Sequence, residues 1–198
     1  MTSRLFPLVC ALFLGLATSP ASAHIVERLD LSSLQKTAKT IIVGTVQQQK
    51  SFWHKKRIYT VSTLQIQTCF KGACKDKTIA IQQLGGVVGK LGQKAIGVKL
   101  LQPKSRVLLY LHRVHALTRV KNVVTPVHRI VGLSQGMMKF VKRNNKEFLV
   151  HDLSELAFPT TAKAHNKHEH EHGHKHEHSK IHMYPASTHL KSLTPLKK

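Results

Sequence analysis

Apolar and polar residues alternate over short stretches of the chain between residues 40 and 153. Alternation places the apolar side chains on one face of a β-strand, and β-branched residues favour the same conformation. The pattern therefore predicts seven or eight short strands, one of them short and set within the glycine-rich stretch 85–97. The others are Thr40 to Gln49, Arg57 to Phe70, Thr78 to Leu84, Val107 to Leu111, Val127 to Leu133, Met137 to Lys142 and Glu147 to Leu153.

Two of these stretches depart from simple alternation. Val107 to Leu111 is apolar throughout, which predicts a strand buried on both faces. Within Arg57 to Phe70, the apolar positions change from odd numbers to even numbers after Val61, which predicts a bulge in that strand. Gly44 marks a further bulge or a point of close packing in the first strand.

The remaining local signals are one helix and one tight turn. Asp30 precedes apolar residues at positions 31, 34 and 38, which predicts a short amphipathic helix capped by Asp30. Asn144-Asn145 predicts a two-residue hairpin turn with positive φ angles. One short helix followed by many short strands predicts an all-β domain, either a barrel or a sandwich.

The first 23 residues have the pattern of a signal peptide. Arg4 is followed by an apolar stretch from Leu5 to Ala17, and Ala21-Ser22-Ala23 offers small residues for cleavage after Ala23 or after Ala21. The apolar stretch is too short to cross a bilayer as a stable helix. We therefore expect an exported protein, periplasmic or extracellular, whose mature domain spans residues 24–159.

The composition changes after Pro159. Residues 160–198 contain nine histidines, seven lysines and few apolar side chains. Such a segment buries too little apolar surface to offset the entropy of ordering it, so the composition predicts a disordered tail.

Histidine occupies every second position in part of this tail. Neutral imidazole binds Zn, Ni and Cu ions, and four imidazoles complete a tetrahedral zinc shell. The pattern predicts reversible metal binding, with no other cofactor required. The candidate ligands are His165, His168, His170, His172, His174, His176, His178 and His182. The alternative is a polar tail whose histidines serve solubility or a change of charge with pH.

Two cysteines remain after removal of the signal peptide, Cys69 and Cys74. In an oxidising compartment this spacing predicts a disulfide across a tight turn. A metal-binding pair is the weaker alternative, because the chain offers no second cysteine pair to complete a thiolate site.

The predicted domain is strongly basic. Residues 24–160 contain 23 Lys and Arg against six Asp and Glu, a net charge of +17 with histidine neutral. Such a charge attracts polyanions and anionic membrane surfaces, although it is also compatible with a solvated basic coat. Phe52, Trp53 and Tyr59 lie beside the basic stretch 54–57 and resemble a small stacking platform, but export disfavours nucleic acid as the natural ligand.

No arrangement of residues typical of an enzyme is present in the sequence. The acidic residues form no pair with catalytic spacing, and no Gly-x-Ser-x-Gly motif occurs. Gly85 to Gly89 lacks the lysine and hydroxyl residue of a phosphate-binding loop. We therefore expect a non-enzymatic protein.

Several short motifs recur in an order that resembles a group of secreted bacterial proteins with a netrin-like domain. They are Ile42-Val43-Gly44-Thr45-Val46, Ile58-Tyr59-Thr60, Phe70-Lys71-Gly72, Gly85-Gly86, Leu108-Leu109-Tyr110-Leu111 and Val131-Gly132-Leu133-Ser134-Gln135-Gly136. The first half is similar to the tissue inhibitors of metalloproteinases, and the resemblance implies a five-stranded OB-type barrel. The inhibitory Cys-x-Cys of that family is absent, since the expected mature start is His24-Ile25-Val26, and its several inter-strand disulfides are missing.

These observations together predict a small OB-like barrel with a metal-binding tail. The leading hypothesis is that the tail sequesters or buffers Zn, Ni or Cu. The alternative is an envelope-associated module that binds acidic polymers or anionic surfaces through its basic barrel. No motif selects one metal or an oligomeric state.

Overall fold

A computed structural model of the chain describes residues 26–72, 74–114, 127–158 and 181–193. These ranges form a predominantly β structure, which confirms the all-β class; the predicted signal peptide, residues 1–23, lies outside them. The strands are β1 (Thr40–His54), β2 (Arg57–Lys71), β3 (Thr78–Leu84), β4 (Gly86–Val88), β5 (Leu91–Gln93), β6 (Arg106–Val114), β7 (Val127–Ile130), β8 (Met137–Arg143), β9 (Lys146–Asp152) and β10 (Ile181–Pro185). The helices are α1 (Leu31–Thr37) and α2 (Ala186–Lys191).

Five of the strands are hydrogen-bonded in a closed ring. β1 pairs with β2, β2 with β3, β3 with β7, β7 with β6, and β6 again with β1. The β3–β7 pair is parallel and the other four are antiparallel. β8, β9 and β10 continue the sheet from β6, while β4 and β5 form a separate hairpin. Closure leaves these five strands without a free edge in the ring.

β1 and β6 separate two hydrophobic cores. Ile42 and Leu109 belong to the core inside the ring, to which all five ring strands contribute. Leu108 and Tyr110 belong to a second core outside the ring, against α1, β8, β9 and α2. Residues 107–111 are at most 2% exposed. The predicted burial of this strand on both faces is therefore confirmed.

β1 and β2 form a long hairpin with an irregular register. The register shifts three times between Ile41 and Gln48, and such shifts bend a hairpin as ring closure requires. Gly44 lies at one shift, where a Cβ would be 2.7 Å from the carbonyl oxygen of Gln65. The close approach predicted at Gly44 is thus confirmed. The bulge predicted in β2 is confirmed, but it lies at Gln67, which the register shift between Val43 and Gly44 leaves unpaired, and not directly after Val61, where β2 pairs with β3 without a break.

Polar residues inside the ring account for that difference in position. Thr60 and Ser62 lie on the same face of β2 as Leu64, which packs in the inner core. Ser51 Oγ lies 2.9 Å from Thr60 Oγ1, and Gln49 Nε2 donates to Ser62 Oγ at 2.9 Å. Because these hydroxyls are hydrogen-bonded, polar residues can occupy inward positions. The alternation of apolar residues therefore does not show which face of β2 is buried.

The predicted helix and tight turn are both confirmed. The Ser33 backbone N–H donates to Asp30 Oδ1 at 2.7 Å, which caps α1, and the helix buries Leu34. Asn144 and Asn145 join β8 to β9 with φ angles of 47° and 60°.

Other predicted strands differ from the structure in number or in length, and β1 extends to His54 and β6 to Val114. The glycine-rich stretch forms β4 and β5 rather than one short strand. β7 ends at Ile130, because the Val131 N–H donates to the Tyr110 carbonyl at 2.9 Å and the Tyr110 N–H donates to the Gly136 carbonyl at 2.8 Å. Residues 131–136 therefore turn back toward β6 instead of extending the strand.

The prediction of disorder throughout 160–198 is wrong for residues 181–193. β10 pairs with β9 from Ile181 opposite Asp152 to Pro185 opposite Phe148. α2 and the residues after it bury Ala186, His189 and Leu193 against the outer core. We call residues 181–193 the C-terminal anchor. Residues 160–180 and 194–198 of the predicted tail lie outside the described residues.

The sulfur atoms of Cys69 and Cys74 lie 2.04 Å apart and the Cα atoms 6.2 Å apart, so the predicted pairing has disulfide geometry. We expect mass spectrometry of protein purified without reductant to find no free thiol. Closing so short a loop limits the unfolded chain, so a Cys69→Ser/Cys74→Ser variant should lose about 2 kcal/mol of unfolding free energy in a urea titration. Two alkylatable cysteines in the native protein would contradict the pairing.

Candidate functional site

The histidine-rich segment connects two points on the folded body. His165, His168, His170, His172, His174, His176 and His178 lie outside the described residues. On one side the chain is described up to Phe158, and the Val26 N–H donates to the neighbouring Ala157 carbonyl at 3.0 Å. On the other side Ile181 begins β10 on the edge of β9. The segment is therefore followed by ordered structure and is not a free tail.

His182 is the one predicted ligand that the structure describes. It lies in β10, where Arg28 Nη2 is 3.1 Å from His182 Nε2, and its ring stacks on Tyr184 with centroids 6.4 Å apart. A guanidinium at this nitrogen opposes the approach of a cation. Within residues 26–72, 74–114, 127–158 and 181–193, no three His, Cys, Asp or Glu side chains are grouped to hold a metal ion.

Two buried histidines lie at the C-terminal anchor: His189 belongs to the anchor itself, and His151 belongs to the neighbouring strand β9. His151 is 4% exposed, and its Nε2 lies 2.6 Å from the Gln135 carbonyl oxygen. Because a carbonyl only accepts, His151 Nε2 carries a proton. His189 is 6% exposed, and its Nε2 lies 3.2 Å from the Tyr110 hydroxyl of β6.

Burial favours the neutral forms of His151, His189 and Tyr110. Burial lowers the pKa of His151 to about 4, against the opposing effect of its hydrogen bond to Gln135. Repulsion from Arg28, and from His182 and His189 whenever these are protonated, lowers it further. Burial also lowers the pKa of His189, and it raises the pKa of Tyr110 to about 12. The contact between His189 of the anchor and Tyr110 of β6 therefore joins two groups whose neutral forms are favoured.

The aromatic residues predicted as one platform lie on two faces of the β1–β2 hairpin. Phe52 and Tyr59 are paired across the strands and stack with centroids 6.3 Å apart. The ring of His54 meets Tyr59 edge-on at 6.1 Å. Trp53 points to the opposite face and is 47% exposed. Adjacent residues of a strand face opposite ways, so the three rings cannot share one surface.

The positive charge is left largely without acidic partners. Three ion pairs form among the described residues: Lys94 with Glu155, Lys99 with Asp152, and Arg106 with Glu147. The two-residue turn of the β1–β2 hairpin, Lys55-Lys56, has no ion pair within the described part of the chain.

The sequence reasoning missed the C-terminal anchor, although a weak signal for it is present. Residues 181–185 alternate, but Ile181 and Met183 face solvent while His182 and Tyr184 face the protein. The helix signal is short, because α2 has only six residues. An inverted pattern of this kind is recognised only when the partner strand is known.

Comparison with known proteins yields no significant match to a protein family, to a curated protein or to a solved structure. Among the described residues, no helix is long and apolar enough to cross a membrane.

The two buried histidines predict that stability depends on pH. Each has a folded pKa below the unfolded value near 6.5, so the native state favours the neutral ring. The unfolding free energy should have its highest value above pH 6.5 and fall as the pH drops toward 4. The protonation of His151 alone should account for about 3 kcal/mol of this decrease. Urea titrations between pH 7.5 and pH 4 measure this slope.

Two substitutions distinguish the contribution of His151 from that of a histidine elsewhere in the fold. His151→Gln keeps a donor for the Gln135 carbonyl but cannot titrate, so the pH slope should become shallower. His54→Gln, on the β1–β2 hairpin, should keep the wild-type slope. Equal slopes in the wild type and His151→Gln would show that His151 does not cause the pH dependence of stability.

Proposed function

We propose that the protein is an exported, non-enzymatic binding protein that buffers Zn, Ni or Cu through the histidine-rich segment 165–178. The observation that carries the proposal is the run of six histidines at alternate positions from His168 to His178, with His165 just before it. His182 is left out of this ligand set because its Nε2 faces the Arg28 guanidinium.

The spacing suits shared coordination. In an extended chain, side chains two positions apart point the same way about 6–7 Å apart, so modest bending brings neighbouring imidazoles onto one ion. Gly173 interrupts the run and permits such a bend. Because the segment offers more ligands than one ion needs, several overlapping sites share it. Metal must compete with protons for imidazoles, so affinity falls as the pH drops below about 6.

The closed ring supports the OB-type barrel that the netrin-like resemblance implies. Its strand order β1-β2-β3-β7-β6, with one parallel pair between β3 and β7, is compatible with a five-stranded Greek-key barrel of that type. Export is supported by the signal-peptide pattern of residues 1–23 and by the pairing of Cys69 with Cys74, which suits an oxidising compartment.

A test of metal binding must leave the C-terminal anchor in place, because deleting residues 160–198 would also remove β10 and α2. We therefore replace residues 163–180 by a Gly-Ser linker of equal length. Calorimetry of the full mature chain should show more than one Zn²⁺, Ni²⁺ or Cu²⁺ per chain at pH 7.5 and weaker binding at pH 5.5. The linker variant should lose this capacity, whereas a His182→Gln variant should retain it.

Fewer than one ion per wild-type chain at pH 7.5, or equal affinity at both pH values, would rule the metal proposal out. Undiminished capacity in the linker variant would place the ligands elsewhere.

A second candidate function is binding of acidic polymers or anionic surfaces by the basic domain. It is favoured by the small number of ion pairs, three among the described residues, in a domain of net charge +17. Charge of this kind acts over a surface without a defined geometry, so the interaction should be salt-sensitive.

Heparin retention tests the second candidate. The linker variant should bind a heparin column as the wild type does, and retention should fall steeply with salt, because bound counterions are released on association. Lys55→Glu/Lys56→Glu should elute at lower salt. Retention that persists unchanged at high salt, or that disappears with the histidine-rich segment, would contradict a role for the basic domain.

A further inference from the structure

A cleft opens where two strands of the ring diverge. β3 and β7 pair only at Ala80 with Val127 and at Ile81 with His128. Beyond this point the strands separate, and a cleft of about 740 Å³ lies between the end of β3, the start of β2, β7 and residues 93–98. Its rim includes Ile96, which is 67% exposed, and Leu133, which is 41% exposed. The cleft is therefore open to solvent.

The cleft is lined by positive charge. Arg57, Lys94 and Arg129 belong to its wall, and no Asp or Glu does in the described part of the chain. Lys94 is paired with Glu155, whereas neither arginine forms an ion pair among the described residues. Burial, followed by the charge of Arg129, lowers the pKa of His112, the cross-strand partner of Arg129. The field of this arginine is thus not neutralised.

Gln82 adds a buried donor without a partner. It is 3% exposed and lines the cleft, and its Nε2 has no hydrogen-bond partner in the described part of the structure. The adjacent Gln83 shows the contrast. It donates to the Lys99 carbonyl at 2.7 Å and accepts from the Leu101 N–H at 2.9 Å. A buried amide donor without a partner is destabilising, and an acceptor atom of a bound ligand would satisfy it.

Tyr59 gives the cleft an aromatic wall. Its cross-strand partner in β3 is Leu84, and both residues line the cleft. The ring of Phe52, the cross-strand partner of Tyr59 in β1, stacks on it with centroids 6.3 Å apart. A planar ring beside cationic and amide donors is suited to a sugar ring that carries an anionic group.

We propose that the cleft between β3 and β7 binds an acidic saccharide. Arg57 and Arg129 contact its carboxylate or phosphate, the Gln82 amide donates to one of its oxygen atoms, and the sugar ring packs on Tyr59. The inference rests on the second candidate function, to which it adds a defined subsite, and it is independent of the metal-binding segment.

Calorimetry on the full mature chain tests the cleft with three probes: tetragalacturonate, glucose 6-phosphate and neutral maltotetraose. We expect saturable binding of one or both anionic probes, which distinguishes carboxylate from phosphate, and none of maltotetraose. Binding of maltotetraose as tight as that of tetragalacturonate would overturn the proposal, and so would the absence of binding by both anionic probes.

Substitutions then locate the site. Gln82→Met removes the unpaired donor at similar size, so it should weaken binding about tenfold or more while leaving the thermal midpoint unchanged or raised. Arg129→Gln should weaken binding similarly, and Arg143→Gln, which removes the same charge from β8, should have no effect. Unchanged binding in both Gln82→Met and Arg129→Gln would overturn the proposal.

The same variants separate the cleft from the second candidate function. Heparin retention should fall only slightly in Gln82→Met, Arg129→Gln and Arg143→Gln, because heparin also binds the rest of the basic surface. If the wild type is retained on heparin but the Gln82→Met variant binds the anionic probes as the wild type does, the proposal for the basic surface stands and the proposal for the cleft fails. Absence of heparin retention in the wild type would remove the second candidate itself.

Discussion

The pairing of β1 with β6 is the interaction on which the other elements depend. Thr40 to Thr45 align with Leu111 to Arg106, and this ladder closes the ring. Both strands send alternate side chains into the two cores, so the inner and the outer core share one wall. The partners are far apart in sequence, which makes the ladder a costly contact to form and a cooperative one once formed.

Closure also determines where polar groups can be buried. Inside the ring, the hydroxyls of Thr60 and Ser62 and the amide of Gln83 all have partners. At the point where the β3–β7 pair ends, Gln82 has none among the described residues. Native structures rarely leave a buried donor unpaired, and a functional role is one reason for such an exception. Of the two neighbouring glutamines, only Gln82, which lines the cleft, therefore has an amide donor available to a ligand.

The outer core connects the fold to the histidine-rich segment. Tyr110 of β6 reaches His189 in α2, and β9 carries β10 along its edge. Segment 159–180 thus joins the fold on both sides, so bound metal would remain attached to the domain rather than to a separate tail.

The sequence alone determined the strands whose signals are local. Apolar runs placed β3 and β6, Asp30 capped α1, Asn144-Asn145 made the β8–β9 turn, and the spacing of Cys69 and Cys74 brought the two cysteines together. These features depend on neighbours within a few residues, which sequence patterns record directly. The run of alternate histidines is equally local, and its metal-binding role remains a prediction.

Tertiary structure decided what depends on distant partners. Thr60 and Ser62 face the inner core because Ser51 and Gln49 lie opposite them, and β10 exists because the edge of β9 accepts it. The cleft beside Gln82 arises from residues on four separate strands and on the segments between them. A polar side chain has the same identity whether it is paired, exposed or buried alone. The partner across the sheet, which only the closed ring supplies, decides between these states.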